Sequence, residues 1–278
     1  MSAGSDPFPR RTTVPRGDVD LAVFDGGAPD GPTVVLVHGW PDSHSMWHGV
    51  AELLGATHRV VAYDTRGMGD SVTDAPDAGF GVETLADDLF AVLDAVAPDR
   101  PVHLVGHDWG SVQAWGAVCR PGAETRIASF TSISGPNLDH VAHWVRRTLA
   151  RPSPRRVAGL VAQAASSSYV PFLVSPLAPP LLGILDRDAA SGLRYYRGNL
   201  LRGARRPQHR TTAVPVLQLA LTRDVAIREA SLAASDPWTE SLERRHLPHG
   251  HWITRTRPDV VADEVSRFVQ RHDLRASA

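Results

Sequence analysis

Short apolar runs alternate with helical patterns through the first half of the chain. Five compact runs bounded by turn residues predict strands, at 20–25, 33–37, 59–63, 102–105 and 127–133. Between them, residues 82–96 place apolar side chains with a period near 3.6, which predicts an amphipathic helix. A second helix is predicted to start near Ser111. Strands that alternate with helices in this way indicate a mostly parallel sheet covered on both faces.

The pattern changes after Ser134. Residues 138–212 contain no convincing strand and are rich in Ala, Leu, Arg and Pro, which predicts a helical insertion lying over the sheet. A strand pattern returns at 214–221, followed by a short segment at 242–247 and an amphipathic helix at 258–271.

We therefore predict an α/β core made of residues 1–137 and 213–278, with a helical cap at 138–212. The first 17 residues contain no apolar run, and they predict a disordered lead-in. They also lack the hydrophobic core of a signal peptide, and the chain has no apolar run of the ~20 residues that span a bilayer. The expectation is a cytoplasmic protein.

Composition narrows the classes of partner. The formal net charge of −1 gives no global attraction to nucleic acid or to anionic lipid, so neither is an expected partner. The 13 histidines are scattered without a short metal-ligand spacing, and no metal site is expected. With 42% hydrophobic residues, 278 residues can bury one large core. A homodimer remains open.

Three loops follow predicted strands at the sheet edge where open α/β sheets bind ligands. They are HGWP after 33–37, DTRGMGDS after 59–63 and GHDWG after 102–105. The last has glycines two positions before and after Asp108, the spacing of a nucleophile elbow, in which a sharp turn pushes the central side chain into the cleft. An aspartate at the centre argues against a serine esterase, because Ser111 lies three positions later on the helix.

Four segments together, HGWPDS, YDTRGMGDS, VGHDWGS and a late HGHW followed by RPDVV, resemble the α/β-hydrolase superfamily. Within it they resemble the aspartate-nucleophile branch of epoxide hydrolases and haloalkane dehalogenases, from about Val19 to Val269. The resemblance implies an α/β-hydrolase fold with an inserted helical cap and chemistry without a cofactor. A carboxylate suits attack at an sp³ carbon, which leaves an alkyl ester that water must cleave.

The resemblance implies a triad in the chain order nucleophile, acid, base. Asp108 is the nucleophile, and His251 is the base that activates water, with His249 as its rival two residues away. Asp224, after the strand at 214–221, is the acid that orients the base. Asp139 is the alternative acid, because some relatives supply it after the preceding strand.

Aromatic residues complete the implied site. The backbone N–H groups of Trp40 and Trp109 are the expected oxyanion donors, and their rings are expected to line the substrate pocket. Tyr196 lies in a segment resembling the Y-R-x-N of epoxide hydrolases and is the expected proton donor for ring opening. Tyr169 is the second candidate donor. The register of this segment stays open, and Phe172, a candidate substrate contact, is the alternative residue at the position of the second phenol.

The tyrosines favour an epoxide hydrolase, which converts a hydrophobic epoxide and water into a vicinal diol. A haloalkane dehalogenase with the same triad is the alternative, and it needs side-chain N–H donors for the departing halide. A ligand-binding member of the fold without catalysis also remains open, since fold does not fix function.

Overall fold

A computed structural model describes residues 6–203 and 207–276. In that part of the chain eight strands form one sheet: β1 Arg10–Arg16, β2 Val19–Gly27, β3 Thr33–Val37, β4 Arg59–Tyr63, β5 Val102–His107, β6 Ile127–Ile133, β7 Val216–Leu221 and β8 Leu242–Leu247. Twelve α-helices accompany them: α1 His48–Leu54, α2 Val82–Val96, α3 Trp109–Val118, α4 Leu138–Ala150, α5 Pro154–Ser166, α6 Val170–Val174, α7 Ala178–Gly183, α8 Arg187–Ser191, α9 Leu193–Gly203, α10 Glu229–Leu232, α11 Ile253–Thr256 and α12 Pro258–Ala276.

The sheet is mostly parallel, with the strand order β1-β2-β4-β3-β5-β6-β7-β8. Strands β3 to β8 pair in parallel, and β1 and β2 form the antiparallel end. The predicted disordered lead-in is wrong for residues 10–16, which pair with β2 along their whole length. Residues 1–5 of the lead-in lie outside the described residues.

Helices cover both faces because alternate side chains of the central strands point to opposite sides. Val35 and Val37 of β3 join one core cluster with α2 and α3, whereas Val34 and Leu36 join a second cluster with α1 and α12. All four of these side chains are fully buried. This packing fixes the carboxyl end of β3, where the first candidate loop begins.

Between β6 and β7 the chain forms the helical insertion, α4 to α9. Asn137 begins it, since its side chain accepts hydrogen bonds from the N–H groups of Asp139 and His140 at 2.9 and 3.2 Å and so caps α4. A third apolar cluster joins the insertion to helices α2 and α3, and it contains Trp109 of α3 together with Tyr196 of α9. The predicted cap limits of 138 and 212 stay a prediction.

Within residues 6–203 and 207–276, none of the helices combines the length and the apolar character that crossing a bilayer requires.

Candidate active site

Asp108 stands at a sharp turn between β5 and α3. Its backbone has φ 52° and ψ −124°, a conformation that non-glycine residues rarely adopt. The turn packs tightly on β3: a Cβ on Gly110 would lie 2.1 Å from the carbonyl oxygen of Val37, so only glycine fits there. The crowding explains why the sequence places glycine here and why the Asp108 side chain points into the cleft.

Two backbone N–H groups face the Asp108 carboxylate. The N–H of Trp40 donates to Oδ1 at 2.9 Å, and the N–H of Trp109 is a second backbone donor to the carboxyl. Gly39 allows this approach, because a Cβ there would lie 2.5 Å from Oδ1. Burial raises the pKa of Asp108 to about 6, although the His251 imidazole and the two N–H groups act in the opposite direction.

The loop after β4 supports the Trp40 segment. The N–H of Thr65 donates to Nε2 of buried His38 at 2.9 Å, and Nδ1 of His38 donates to the Gly39 carbonyl at 2.9 Å. Burial lowers the pKa of His38, which agrees with a neutral ring that carries its proton on Nδ1. The DTRGMGDS loop therefore positions the Trp40 segment through His38.

His251 lies between two carboxylates. Its Nε2 is 3.8 Å from Oδ2 of Asp108, and its Nδ1 is hydrogen-bonded to Oδ2 of Asp224 at 3.1 Å. Burial alone would lower the pKa of His251, but the Asp224 hydrogen bond and the two negative charges raise it above its usual value. The ring is therefore oriented so that Nε2 faces Asp108.

Asp224 is itself held by the loop that follows β7. Its Oδ1 accepts the N–H groups of Ala226 at 2.7 Å and Ile227 at 3.1 Å, which leaves Oδ2 for His251. Burial would raise the pKa of this carboxyl, but its hydrogen bonds and the charge of His251 hold it below the usual value. Asp224 therefore stays ionised and keeps His251 in one orientation.

Two tyrosine side chains from the insertion face Asp108. Tyr196 is 5% exposed and packs edge-on against Trp40 and Trp109, with ring centroids 5.5 and 5.0 Å apart. Tyr169, which is 39% exposed, lies near enough for the two phenols to affect each other's pKa. Burial and the charge of Asp108 raise the pKa of Tyr169 to about 12 and that of Tyr196 well above its usual value, so both phenols are protonated at neutral pH.

Most of the chain matches the model of a known protein family. Residues 32–195 match the family model described as the alpha/beta hydrolase fold. The chain belongs to this family.

Curated relatives of this α/β-hydrolase include proteins with two kinds of name. A protein named probable oxidoreductase EphD, from Mycobacterium tuberculosis, is 36% identical over 92% of this chain and 48% of its own length. Epoxide hydrolase A from the same species is 35% identical over 47% of this chain and 40% of the relative. The chain thus spans about half the length of the first relative that it matches.

Solved structures agree on the fold of this α/β-hydrolase. An epoxide hydrolase from metagenomes of hot environments has a TM-score of 0.77 at 21% identity, covering 94% of this chain and 98% of the other. An epoxide hydrolase from Bacillus megaterium, in complex with an inhibitor, has a TM-score of 0.75 at 17% identity, covering 93% and 100%. The predicted α/β-hydrolase fold is confirmed.

The α/β-hydrolase structure separates the alternatives that the sequence left open. Asp139 accepts hydrogen bonds from Arg210 at 2.6 Å and from the N–H of Gln208 at 3.0 Å, whereas Asp224 contacts His251. The carbonyl of His249 accepts the N–H of Arg223 at 3.1 Å, and it is the ring of His251 that approaches Asp108. The structure thus brings together Asp108, Asp224 and His251.

Phe172 is placed differently from the tyrosines of this α/β-hydrolase. Its side chain is 42% exposed, and it is absent from the apolar cluster that contains Leu173 and Tyr196. Tyr169 lies near Tyr196, and its role as the second proton donor stays a prediction. Substrate contact by Phe172 stays a prediction.

His107 is a site residue that sequence reasoning missed. It is buried beside His251, with ring centroids 4.8 Å apart, and its Nε2 donates to the His251 carbonyl at 2.8 Å. Burial lowers the pKa of His107 to about 3, so the ring is neutral. Its place next to Asp108 in GHDWG was the available signal, although only the fold shows that it contacts the base.

Among the described residues, no group of three or more His, Cys, Asp or Glu side chains is arranged to hold a metal ion.

Proposed function

We propose that this α/β-hydrolase is an epoxide hydrolase that opens a hydrophobic epoxide to a vicinal diol through a covalent ester on Asp108. The observation that carries the proposal is the pair of protonated phenols, Tyr169 and Tyr196, facing the carboxylate. An epoxide needs a nucleophile at carbon and a proton at its oxygen at the same moment, and this arrangement offers both.

In the first step Oδ2 of Asp108 attacks an oxirane carbon while the C–O bond breaks. The departing oxygen stays attached to the substrate and takes a proton from Tyr196. We assign Oδ2 as the nucleophile because the Trp40 N–H already occupies Oδ1. The product of this step is a hydroxyalkyl ester.

In the second step His251 removes a proton from water, and the hydroxide attacks the carbonyl carbon of the ester. Oδ1 becomes the oxyanion, held by the N–H groups of Trp40 and Trp109. Collapse breaks the bond between that carbon and Oδ2, and His251 returns its proton to the leaving oxygen. The second proton of the water restores the tyrosine.

The indole group of Trp40 favours an epoxide hydrolase over a haloalkane dehalogenase. A departing halide needs free side-chain N–H donors, but the indole N–H of Trp40 donates to the Ala189 carbonyl at 2.9 Å. The Trp109 indole packs edge-on against the Tyr196 ring, with ring centroids 5.0 Å apart. The indole donor of Trp40 is therefore engaged within the protein.

A parallel assay separates the two activities. We expect the purified chain to convert styrene oxide to its diol and to release no bromide from a 1-bromoalkane of similar size. Bromide release without diol formation would replace the proposed function by dehalogenation. Absence of both products with a panel of epoxides of increasing size would contradict catalysis of this class.

The two tyrosines give a graded prediction. Tyr196→Phe should lower the rate of ester formation about 100-fold, because the buried phenol donates the proton directly. Tyr169→Phe should lower it about tenfold, since this phenol is the more exposed of the two donors and water can partly replace it. Stopped-flow measurement of tryptophan fluorescence reports ester formation, and Tyr195→Phe is the matched control.

The control tests a phenol of the same helix outside the reaction. The Tyr195 hydroxyl donates to the Arg66 carbonyl at 2.6 Å and is buried away from the carboxylate. Tyr195→Phe should leave the rate of ester formation unchanged at temperatures well below its own unfolding transition. An equal loss in all three variants would mean that the phenols only support the fold.

The pKa of Asp108 gives a prediction on pH. Only the ionised carboxylate attacks, so with a pKa of about 6 the rate of ester formation should rise through pH 6 and level off above it. Single-turnover rates between about pH 5 and pH 8 measure this limb without the hydrolysis step. A rate independent of pH over that range would contradict an aspartate nucleophile with a raised pKa.

A further inference from the structure

Large hydrophobic side chains are concentrated on the outside of the helical insertion. Among the described residues, 13 large hydrophobic side chains are exposed, and nine of them belong to residues 138–203. Monomeric proteins rarely leave large apolar patches in water, so such a concentration indicates an interaction surface. The six that define what we term the outer cap surface are Val157, Val161, Leu177, Leu181, Ile184 and Leu185.

Helix α5 turns an apolar face to solvent. None of its 13 residues is buried. Val157 is 40% exposed and Val161 is 61% exposed, and their spacing of four puts both on one side of the helix. The polar side chain of Gln163 instead points inward and donates to the Ala226 carbonyl at 2.9 Å. Helix α5 therefore has apolar side chains on its solvent side in addition to half-buried Leu160 on the side that packs against the protein.

The segment around α7 repeats the arrangement with larger side chains. Ile184 and Leu185 are 81% and 80% exposed, and Leu177 and Leu181 are 65% and 53% exposed. Leu182 packs inward against the cluster that holds Tyr196. The exposed aliphatic side chains are therefore additional to those that attach the segment to the protein.

The charge of the insertion indicates the kind of partner that the outer cap surface binds. Residues 138–203 contain nine arginines against three aspartates and no glutamate, a balance of +6 in a chain of formal net charge −1. Arg151, Arg155 and Arg156 are exposed at the start of α5, next to its apolar face. The whole-chain charge, from which no attraction to anionic lipid was expected, therefore conceals a basic cluster at the start of α5. By contrast, Arg194 and Arg197 are hydrogen-bonded to backbone carbonyls, and exposed Asp186 lies beside Leu185.

We propose that the outer cap surface binds an anionic phospholipid bilayer, with its aliphatic side chains in the headgroup and acyl boundary and its arginines on the lipid phosphates. Exposed Leu, Ile and Val beside arginine are the combination by which interfacial helices bind anionic membranes. The binding does not depend on the reaction. Under the proposed function it would bring Tyr169, located between α5 and α7 in the chain, close to a phase in which hydrophobic epoxides dissolve.

Vesicle flotation tests the proposal with the full chain and without any substrate. We expect the protein to float with vesicles of phosphatidylcholine mixed with phosphatidylglycerol, and to float much less with phosphatidylcholine alone. Binding should weaken as salt concentration increases, because salt screens the arginines. Equal binding to both vesicle types, or binding to neither, overturns the proposal.

Two double variants separate the apolar and basic contributions. Ile184→Ser with Leu185→Ser should weaken vesicle binding at least about tenfold, since two aliphatic groups no longer enter the interface. Arg155→Gln with Arg156→Gln should weaken binding to the anionic vesicles about fivefold for each charge removed. Unchanged binding in either double variant overturns the proposal.

Leu53→Ser with Val72→Ser is the matched control. These side chains are 49% and 59% exposed, and both lie outside the insertion. The control should bind vesicles like the unchanged protein. All variants should have the same Tm as the unchanged protein, because the substituted side chains are exposed. A self-association that Ile184→Ser with Leu185→Ser abolishes, without any vesicle binding, would assign the surface to a second copy of the chain and overturn the proposal. Because binding is measured without catalysis, its failure is distinct from a failure of the proposed reaction.

Discussion

Under the proposed function, replacing Asp108 by alanine is expected to lower the kcat of diol formation by at least about 10⁴-fold. The reaction needs a carboxylate at the point where the Trp40 N–H approaches to 2.9 Å and the His251 ring to 3.8 Å. Alanine has no carboxylate oxygen, so no atom at this point can form the bond to the substrate carbon. Activity is measured as diol released from styrene oxide, and circular dichroism checks that the variant is folded.

Asp139→Asn is the matched control for this loss. That carboxylate contacts Arg210, away from the triad, and its replacement should retain most of the activity. A single turnover of the unchanged protein in ¹⁸O-water adds a direct test, because the label should enter the side chain of Asp108. Label in the diol after one turnover, with the side chain unlabelled, would mean that water attacks the epoxide directly.

The second large effect is expected from His251→Gln. Ester formation needs only the carboxylate and the phenols, whereas ester hydrolysis needs a base for water, so hydrolysis should slow by about 10³-fold while ester formation continues. The protein should release no more than traces of diol and should accumulate an adduct equal in mass to one substrate. Intact-protein mass spectrometry after mixing with the epoxide measures that adduct.

Two comparisons make the result specific to the base. His249→Gln should turn over normally, because its ring is not the one that faces Asp108. Asp224→Asn should accumulate the same adduct to a smaller extent, since its hydrogen bond of 3.1 Å orients His251. Steady turnover by the His251 variant at the rate of the unchanged protein would remove this residue from the proposed mechanism.

The central strands were predictable because burial on both faces leaves a strong signal in the sequence. The predicted runs 33–37, 59–63 and 127–133 coincide with β3, β4 and β6, and the helix predicted at 82–96 coincides with α2. By contrast, β1 has only Val14 buried among seven residues, so this edge strand shows no apolar run. Its place is set by pairing with β2, which a local pattern does not reveal.

The candidate site was likewise only partly predictable from the sequence. The spacing around Asp108 predicted a sharp turn, because the steric need for glycine at 106 is local: a Cβ there would lie 2.7 Å from the carbonyl oxygen of Gly110. The proximity of Tyr169 and Tyr196 brings together the turn before α6 and helix α9, and no periodicity in the sequence predicts how these segments pack. The role of His107 also depends on contact across 144 positions of the chain. Long-range packing of this kind became visible only in three dimensions.

The donor at Oδ1 makes the two oxygen atoms of Asp108 chemically unequal. Under the proposed mechanism, Oδ2 departs inside every diol and an oxygen from solvent takes its place, whereas Oδ1 never leaves the protein. One atom of this side chain is then a consumed reagent that each cycle replenishes, and its neighbour is a permanent part of the catalyst. Repeated turnover in ¹⁸O-water would therefore label one oxygen atom of the Asp108 carboxylate and leave the other unlabelled.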